Sequence, residues 1–542
     1  MTVRIAFLGG LGEVGRNCAT FEIDGRIAML DCGLMFPEED MLGVDLVLPD
    51  FASVLERRDD FLCIVLTHGH EDHIGALGYL LRDVNVPVYG TALTLEFARP
   101  RVEEFGVTPD FRLITPKEWV EEGPFRFSAI PVSHSVPDAT GIAFDTPEGI
   151  VVHSGDFKLD PTPIDGVPTD LQAFARLGAQ GVRLLLADST NAERPGYVPA
   201  EVSVGERLDE LVRNAEGRVL LACFASHIHR VQQAIDAVVA DGRYYAFIGR
   251  SMLRNSEIAS GLGVLDLHED RLVEIGKLLE LDPSQVAIIS TGSQGEPYAA
   301  LSLMASGEHR TVKLDPQDTV IISATPIPGN ETRVGRVINN LIRAGVTVYH
   351  GRNSHVHVSG HAAAEELKMF YNVVRPQAVI PVHGEYRHMV ANAALAKTMG
   401  VPEVAVLEDG DAVILNEGDL RVERGAVPAG YVYVDGEEVG AADEVIRDRR
   451  HLADDGVLIV TIGVDLHTGE IVIGPEVDSH GVTADEDELH KLVAERVVSG
   501  IGMLEKPIDP HVLRSRVRNR ARKAVREQVN RRPVVLPVVI EV

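Results

Sequence analysis

The segment HGHEDH (residues 68–73) places three imidazoles and an aspartate carboxylate within six residues, and only Thr67 separates it from the apolar run FLCIVL. His68 and His70 are two residues apart and can project together from an extended turn, whereas Asp72 and His73 fall on the next bend. This spacing predicts two neighbouring ligand pockets. Imidazole nitrogen and carboxylate oxygen suit Zn²⁺ or Mn²⁺, and a ligand set without thiolates is typical of catalytic sites.

Further candidate ligands close other predicted strands: His134 ends SAIPVSH, Asp156 ends VVHSGD and His383 ends VIPVH. Each one alone would suit a structural hydrogen bond or a helix cap, but together with the histidine segment they predict a metal centre. Two metal ions need about seven protein ligands with one carboxylate shared, and Asp156 is the predicted bridge. The predicted ligands are His68, His70, Asp72, His73, His134, Asp156 and His383.

The segment HVHVSGH (residues 355–361) predicts a second polar pocket. Its serine and histidine side chains, with the backbone N–H groups around Gly360, would form a concavity that binds an anion. His355 is interpreted as a structural surface histidine.

The elements that must position these residues are short strands and helices. The first 190 residues contain β-branched runs such as VRIAFLG, FLCIVL and VRLLLAD, bounded by Gly, Asp and Pro, which predict buried strands with polar residues at their ends. From about residue 200, strands such as RVLLACF and TVIISA alternate with helical patterns, which predicts a parallel-sheet domain. Two strands, two helices near 485–498 and 510–530, and a last strand VVLPVVIEV close the chain.

Composition bounds the class of protein. The chain has 542 residues, so we expect several domains, and its net charge is −30. Its four cysteines form no CxxC pair, so we expect a reducing cytoplasm. No apolar run reaches the roughly 18 residues of a membrane span, and no secretion signal is expected. The total charge argues against a polyanionic partner. However, residues 510–542 carry a local charge of +7, which suits RNA, a subunit contact or a solvated helix face equally.

One motif is interpreted as a decoy. Gly10, Gly12 and Gly15 follow a predicted strand with the spacing of a dinucleotide fingerprint, and Asp31 ends the next strand. Only about ten residues separate the motif from that strand, which leaves no room for the required crossover helix. The glycines are therefore expected to shape a tight turn near the metals.

Three further segments carry a family resemblance: Asp188 in LLADSTN, His361 in HVHVSGHAAAEEL and His383 in VIPVHGEYRH. With HGHEDH they resemble the β-CASP nucleases of the metallo-β-lactamase superfamily. LGGLGEVGRN at the start and RRPVVLPVVIEV at the end make essentially the whole chain similar to the bacterial ribonuclease J family. The resemblance implies an α/β fold: a metallo-β-lactamase αββα sandwich, an inserted β-CASP domain with a parallel sheet, and a small C-terminal α+β domain.

The implied boundaries are residues 1–200 and 346–425 for the two parts of the metallo-β-lactamase domain, 201–345 for the β-CASP insertion, 426–450 for a linker and 451–542 for the C-terminal domain. The resemblance also implies two divalent ions per subunit, Zn²⁺ first, with Mn²⁺ or Mg²⁺ as alternatives. One ion is held by His68, His70 and His134, the other by Asp72, His73 and His383, and both by Asp156.

The resemblance assigns roles to further residues. Asp72 would orient the attacking water, His361 would stabilise the transition state or protonate the leaving oxygen, and Asp188 would accept a hydrogen bond from a ligand histidine. The family holds the 5′-monophosphate of RNA at positions that match Ser226, His357, Ser359, Gly360 and His361. The family more often has asparagine at the position of His227, so this residue receives no role. Arg230, Arg250, Arg254, Arg333 and Arg336 are expected to line an RNA channel.

The implied function is a metal-dependent ribonuclease that cleaves phosphodiester bonds by hydroxide attack at two metals. It would act 5′→3′ on 5′-monophosphorylated RNA, with endonuclease activity as a second mode, in mRNA decay and rRNA maturation. The alternatives are a DNA-directed β-CASP nuclease, a small-molecule hydrolase and a non-catalytic RNA-binding assembly subunit. Expected partners are single-stranded RNA, RNA-degradation proteins and further copies of the chain, as a homodimer or homotetramer formed through the C-terminal domain. No membrane partner is expected.

Overall fold

The computed structural model describes residues 2–38, 40–327, 329–441 and 443–542. The chain divides into two compact units. The first comprises the described residues up to Phe36 together with Val47–Val432, and the second comprises Pro37–Leu46 and Tyr433–Val542, so far as they are described.

The elements of the chain fall into four consecutive groups. The first group is β1 (Val3–Gly9), β2 (Leu11–Gly12), β3 (Cys18–Ile23), β4 (Arg26–Leu30), β5 (Leu46–Leu48), α1 (Ala52–Leu55), β6 (Phe61–Val65), α2 (Glu71–Ile74), α3 (Leu77–Leu81), β7 (Val88–Gly90), α4 (Ala92–Glu103), β8 (Phe111–Leu113), β9 (Trp119–Glu122), β10 (Phe125–Pro131), β11 (Thr140–Thr146), β12 (Gly149–His153), α5 (Leu171–Gln180) and β13 (Val182–Asp188). The second group is α6 (Val202–Arg213), β14 (Val219–Ala222), α7 (Ile228–Ala240), β15 (Tyr244–Ile248), α8 (Arg250–Gly261), α9 (Ile275–Leu278), a 3₁₀ turn (Pro283–Gln285), β16 (Val286–Ser290), α10 (Ala300–Ala305), β17 (Thr319–Ile322), α11 (Glu331–Arg343) and β18 (Thr347–His350). The third group is α12 (Ala364–Val374), β19 (Ala378–Val382), β20 (Gly384–Glu385), α13 (Tyr386–Thr398), β21 (Glu403–Val404), β22 (Ala412–Asn416) and β23 (Asp419–Glu423). The fourth group is β24 (Val432–Asp435), β25 (Glu438–Ala441), α14 (Asp443–Asp455), β26 (Val457–Val464), β27 (Ile471–His480), α15 (Glu486–Ile501), α16 (Pro510–Val529) and β28 (Val534–Glu541).

Two mixed sheets form the centre of the first unit. One has the order β23-β22-β1-β3-β4-β6-β7-β8 and the other β21-β19-β13-β12-β11-β10-β9. Their facing side chains make one apolar core, in which the rings of Phe21 and Phe144 stack with centroids 4.2 Å apart. Helices α5 and α13 pack on the second sheet, against β13 and β19. The expected αββα sandwich is confirmed, and its strand ends carry the predicted ligands.

A separate five-stranded parallel sheet, in the order β15-β16-β14-β17-β18, forms the inserted domain. Its last strand, β18, pairs with β17 from Thr347↔Thr319 to His350↔Ile322. From the sequence, the second part of the sandwich was expected to begin at residue 346. In the structure, β18 lies after that boundary but still belongs to the sheet of the insertion. The run VTVYH follows a helix and lies parallel to its neighbour, so it continues the alternation of strand and helix in the insertion.

The second unit is built on a three-stranded sheet in the order β27-β26-β28. Alternate residues of β26, such as Leu458 and Val460, are buried with apolar residues of α15 and α16. The segment expected to be a linker (residues 426–450) instead contains β24, β25 and the start of α14. Gly436 lies at the turn between the two strands with φ +60°, so the Gly- and acid-rich composition reflects a hairpin.

The glycine turn after β1 lies against the segment that carries His383, one of the predicted metal ligands. Leu11 and Gly12 pair with Gly384 and Glu385, and the carbonyl oxygen of Gly10 accepts a hydrogen bond from the backbone N–H of His383 at 3.0 Å. The strand that follows, β3, returns antiparallel to β1 without a crossover helix. The fold therefore excludes the dinucleotide interpretation.

Candidate metal centre

All seven predicted ligands lie at the ends of elements of the sandwich. His68 and His70 follow β6, and the short helix α2 carries Asp72 and His73 on its first turn. The other three follow β10, β12 and β19, whose ends lie in the same sheet. They are His134, Asp156 and His383. Gly33 allows the tight packing at α2, because a Cβ there would lie 1.6 Å from the carbonyl oxygen of Asp72.

The first ligand group contains His68, His70, His134 and Asp156. Nδ1 of His70 lies 3.0 Å from Nε2 of His68 and 3.2 Å from Nε2 of His134. Ligands bound at Zn–N distances of 2.0–2.1 Å in a tetrahedron are about 3.3 Å apart, so these separations suit one ion. Burial lowers the pKa of His70 to about 4, which leaves a neutral ring with a free lone pair.

The second ligand group contains Asp72, His73, Asp156 and His383. Oδ2 of Asp72 lies 3.3 Å from Nε2 of His383 and 3.7 Å from Nε2 of His73. Burial lowers the pKa of His73, but the charges of Asp156, Asp72 and Asp31 outweigh this and raise it to about 10. The surplus of carboxylates therefore favours a positive charge at this position.

Asp156 joins the two groups. Its Oδ2 lies 3.6 Å from Nε2 of His68, 3.3 Å from Nε2 of His73 and 3.4 Å from Nε2 of His383. Its Oδ1 is buried and has no hydrogen-bond partner among the described residues. A buried carboxylate oxygen without a donor is costly, so this orphan atom, with the nitrogen and oxygen donors around it, fits a pair of divalent cations.

The opposite nitrogen of four ligand histidines is held by a fixed partner. Nδ1 of His68 donates to the Thr67 hydroxyl at 3.0 Å, and Nδ1 of His134 donates to the carbonyl oxygen of Gly360 at 2.9 Å. Nδ1 of His383 donates to the Thr190 hydroxyl at 2.6 Å. Such partners fix the tautomer that presents Nε2 to a metal.

Asp31 is the fourth partner, and sequence reasoning missed it. Its Oδ2 accepts from Nδ1 of His73 at 2.8 Å and from the Thr67 hydroxyl at 2.9 Å. The sequence does offer a signal, because Asp31 ends a strand as the ligands do, although the same residue also fits the dinucleotide motif. The partner roles of Thr67 and Thr190 carried no such signal.

His361 and Asp188 form a pair beside the second ligand group. Oδ2 of Asp188 accepts from Nδ1 of His361 at 2.8 Å, and its Oδ1 lies 3.6 Å from Nδ1 of His383. Burial lowers the pKa of His361, but Asp188 outweighs burial and raises it. Asp188 thus bonds the histidine expected to act as an acid, whereas the ligand His383 bonds Thr190.

The residues of the expected phosphate pocket are only partly connected in the structure. Oγ of Ser359 accepts from Nδ2 of Asn191 at 2.8 Å and from the backbone N–H of His361 at 3.2 Å. His357 has a buried Nδ1 without a hydrogen-bond partner among the described residues. Gly360 packs against His134, because a Cβ there would lie 2.7 Å from the imidazole ring. No described contact joins Ser226 to Ser359, and Asn191 was not predicted.

A buried ion network in the insertion corrects one expectation. Arg230 is fully buried and donates to Glu201, to Ser323 and to the carbonyl oxygen of Val356. It therefore cannot line an open RNA channel. Nε2 of His227 lies 3.4 Å from Oε1 of Glu201.

Two expectations from composition can be compared with the structure. All four cysteines are free and buried. In the part of the chain that the structure describes, no helix is both long and apolar enough to cross a membrane.

Comparisons with known proteins agree with this architecture. Residues 11–227 match the metallo-beta-lactamase superfamily model and residues 216–341 the ribonuclease J beta-CASP domain. Residues 345–406 match the Zn-dependent metallo-hydrolase RNA specificity domain and residues 444–542 the ribonuclease J C-terminal domain.

Full-length relatives extend the match over the whole chain. A protein named ribonuclease J from Mycobacterium tuberculosis is 43% identical over 554 residues, covering 100% of this chain and 97% of that protein. Ribonuclease J from Thermus thermophilus is 42% identical, covering 99% and 95%, and ribonuclease J2 from Bacillus subtilis is 38% identical, covering 100% and 99%. A solved structure of a protein of unknown function from Enterococcus faecalis shares the fold, with a TM-score of 0.54 at 14% identity over 77% of this chain and all of that one.

The sandwich, the paired ligand groups and the parallel-sheet insertion define a metallo-β-lactamase-fold hydrolase of the β-CASP class that uses divalent metal ions. The relatives then identify the family. The chain belongs to the ribonuclease J family.

Proposed function

We propose that this protein is a metal-dependent ribonuclease that hydrolyses phosphodiester bonds in single-stranded RNA. The observation that carries the proposal is the pair of ligand groups sharing Asp156, with the His361–Asp188 pair beside them. A small-molecule hydrolase could use the same metals, but it would not need the inserted domain. A non-catalytic subunit would not need a complete ligand set.

Two divalent ions bound here would supply positive charge for the phosphoryl oxygens and lower the pKa of a water molecule towards neutrality. We propose Zn²⁺, because imidazole nitrogen dominates the first ligand group, with Mn²⁺ or Mg²⁺ as replacements. The residues that would hold the ions are the seven predicted ligands: His68, His70, Asp72, His73, His134, Asp156 and His383.

The chain's own residues supply the proton transfers. Asp72 is half-buried at the second ligand group, where its carboxylate would orient the attacking water. His361 is 18% exposed, and Asp188 raises its pKa, so it can hold a proton and donate it to the leaving 3′ oxygen. Asp188 acts through His361 and is a positioning residue.

We also propose that the enzyme acts 5′→3′ from a bound 5′-monophosphate, with internal cleavage as a second mode. The pocket would use Ser226, His357, Ser359, Gly360 and His361. The buried unpartnered Nδ1 of His357 and the fixed hydroxyl of Ser359 support it. A bound 5′ end would set the register for removal of one nucleotide at a time.

The activity is tested with matched substrates. The protein is incubated with Mn²⁺ or Zn²⁺ and with RNA bearing a 5′-monophosphate, a 5′-triphosphate or a 5′-hydroxyl, beside single-stranded DNA of the same sequence. We expect mononucleotide release from the monophosphorylated RNA, and its loss in His73→Ala. Equal turnover of DNA, or no nucleotide release, would contradict the proposal.

The pocket is tested separately. Ser359→Ala should lose the preference for 5′-monophosphate while internal cleavage falls less, whereas an equal fall in both would show that the pocket is assigned wrongly. Ser302→Ala, in the inserted domain, serves as the control for a serine-to-alanine change.

The cellular setting is part of the proposal. We infer that the protein acts in mRNA decay and rRNA maturation in the cytoplasm, with RNA-degradation proteins as partners. The family resemblance implies these roles, and the buried free cysteines suit a reducing compartment. We also infer a homodimer or homotetramer through the second unit, because Leu536, Val538 and Ile540 expose an apolar sheet face there. Light scattering on the full chain measures the oligomeric state.

A further inference from the structure

The helix α16 carries a row of exposed arginines. Its 20 residues contain seven Lys and Arg residues and one acid, Glu527. Four of the arginines recur every fourth residue and are exposed. We call them the arginine ladder: Arg514, Arg518, Arg522 and Arg526.

The ladder is not neutralised within its own unit. In the described part of the chain, none of its four side chains has a carboxylate within ion-pair distance. The one acid of the helix, Glu527, is engaged elsewhere, at 3.1 Å from Arg496 and 3.8 Å from Lys523. The positive charge of the arginine ladder therefore remains available to a partner.

The folding of α16 does not explain why its exposed arginines recur at every fourth residue. Side chains four residues apart on a helix are neighbours, and like charges there destabilise the helix. The buried face of α16 is supplied by other residues, such as Leu513, Val517 and Ala521. Arg520 packs against α15 at Gly500. A Cβ on Gly500 would lie only 2.6 Å from Cγ of Arg520. The ladder contributes to neither set of contacts, so a partner that neutralises it would relieve the repulsion.

We propose that the arginine ladder is a binding surface for the phosphodiester backbone of single-stranded RNA. This inference rests on the proposed ribonuclease function only for the identity of the polyanion. With a rise of about 1.5 Å per residue, the ladder spans about 18 Å, enough to follow several successive phosphates, each of which carries one negative charge. Arginine presents several donors to phosphate oxygens, and the exposed Ser515 and Asn519 lie between the arginines.

A second copy of the chain suits this surface less well. A two-fold contact centred on the ladder would bring arginine against arginine. The apolar sheet face proposed for assembly lies on the opposite side of the sheet from α15 and α16, because Val535 is buried with the helices while Leu536 is exposed. Assembly through that face would leave the ladder free.

Binding is measured on the full-length protein by fluorescence anisotropy, in EDTA to prevent cleavage, over a range of salt concentrations. The ligands are a 3′-labelled single-stranded RNA of about 30 nucleotides and a tetranucleotide. The ladder variant carries Arg514→Gln, Arg518→Gln, Arg522→Gln and Arg526→Gln, which keep good helix formers. The control variant makes the same charge change at exposed arginines of the first unit: Arg58→Gln, Arg213→Gln, Arg375→Gln and Arg421→Gln.

We expect the ladder variant to bind the long RNA at least tenfold more weakly at moderate salt, with a salt slope lower by about 2–3, since each phosphate contact on a single strand contributes about 0.7. The control variant should stay close to the wild type. Circular dichroism and light scattering check the fold and the oligomeric state.

Equal affinity and slope in the wild type and the ladder variant would overturn the proposal. So would a ladder variant that changes its oligomeric state while its RNA affinity is kept. Failure of the proposed function is distinguished by a separate measurement: cleavage of the 5′-monophosphorylated tetranucleotide with Mn²⁺. A wild-type protein that binds long RNA through the ladder but never cleaves the tetranucleotide would keep this inference and lose the other.

Discussion

Four of the five predicted ligand histidines are oriented by the group behind the ring as well as by the position of the backbone. For His73 that group is Asp31, whose buried carboxylate accepts from Nδ1 at 2.8 Å. A carboxylate behind an imidazole fixes the tautomer and makes the ring a better ligand. Asp31 also accepts from Thr67, which in turn accepts from His68, so one carboxylate supports a histidine in each ligand group.

Asp31→Asn should weaken metal binding without dismantling the fold, because the amide keeps the size of the side chain but loses its charge. We expect the affinity for Zn²⁺ or Mn²⁺ to fall roughly 10–100-fold, as for other partners behind ligand histidines. Metal titration followed by calorimetry measures it, and Asp59→Asn, an exposed acid, is the control. An unchanged metal affinity would show that Asp31 does not orient His73.

Asp409 is expected to make stability depend on pH. Burial and the neighbouring Glu13 outweigh Arg16 and raise the pKa of Asp409 to about 8. An acid with a raised pKa binds more protons in the folded state than in the unfolded one, so its contribution is present at low pH and is lost as the pH rises from about 4 through 8. Between pH 5 and pH 8, the free energy of unfolding of the wild type should fall relative to that of Asp409→Asn.

Urea unfolding at several pH values measures this difference, with Asp59→Asn as the matched control. Parallel pH profiles for the wild type and Asp409→Asn would contradict the prediction. Arg16, Glu13 and Asp409 hold the glycine turn on which His383 depends, so the measurement also reports on the support of the metal centre.

The seven candidate ligands could be selected from the sequence, and the structure brings them together, because their chemistry is local. Three histidines within six residues after a buried strand have few structural uses, so their spacing alone indicates a metal site. Asp31, Thr67 and Thr190 were not predicted as partners, because a hydrogen bond behind a ring depends on which strands are neighbours. Which strands are neighbours is set by the order of strands in the sheet, and this order produces no characteristic residue spacing in the sequence.

At the scale of elements, the segment from the end of β13 to Asn191 connects three parts of the centre through hydrogen bonds. Asp188 bonds His361, Thr190 bonds His383, and Asn191 bonds both Ser359 and the carbonyl oxygen of His361. A family motif identified only its first residue. The others became visible when the structure placed this strand end between β12 and β19.

The inserted domain is anchored by buried charge. Arg230 on α7 bonds Glu201, and Glu201 also lies 3.2 Å from Lys158 of the sandwich. Arg230→Met should destabilise the protein by about 3–5 kcal/mol, because it leaves a buried carboxylate with one cation fewer. Chemical denaturation measures the loss.

Two comparisons test the anchor. Arg250→Met, at an exposed position on α8, should change stability little. Glu201→Gln in the Arg230→Met background should recover part of the loss, since it removes the uncompensated charge. A double variant no more stable than Arg230→Met would show that packing, and not charge, sets the cost.

At the scale of the whole molecule, the net charge of −30 is unevenly distributed. With +7 in residues 510–542, the other 509 residues carry −37. Part of that acidity lies at the metal centre, where Asp72 and Asp156 face each other across the second ligand group. The total charge was therefore a poor guide to the partner. Composition also could not predict the strand topology of the insertion, such as the position of β18 in its sheet.

Removal of the metals should lower the stability of the whole protein, because cations that bind only the folded state stabilise it by mass action. The gain is about 2.7 kcal/mol for each site at a free-ion concentration of 100 Kd. Thermal unfolding with EDTA and with added Zn²⁺ or Mn²⁺ measures the shift in Tm. Because Asp156 faces both ligand groups, Asp156→Asn should abolish most of the response, whereas His70→Ala, in the first group alone, should keep the part due to the second. If the two variants respond equally to metal, Asp156 does not bridge two ions.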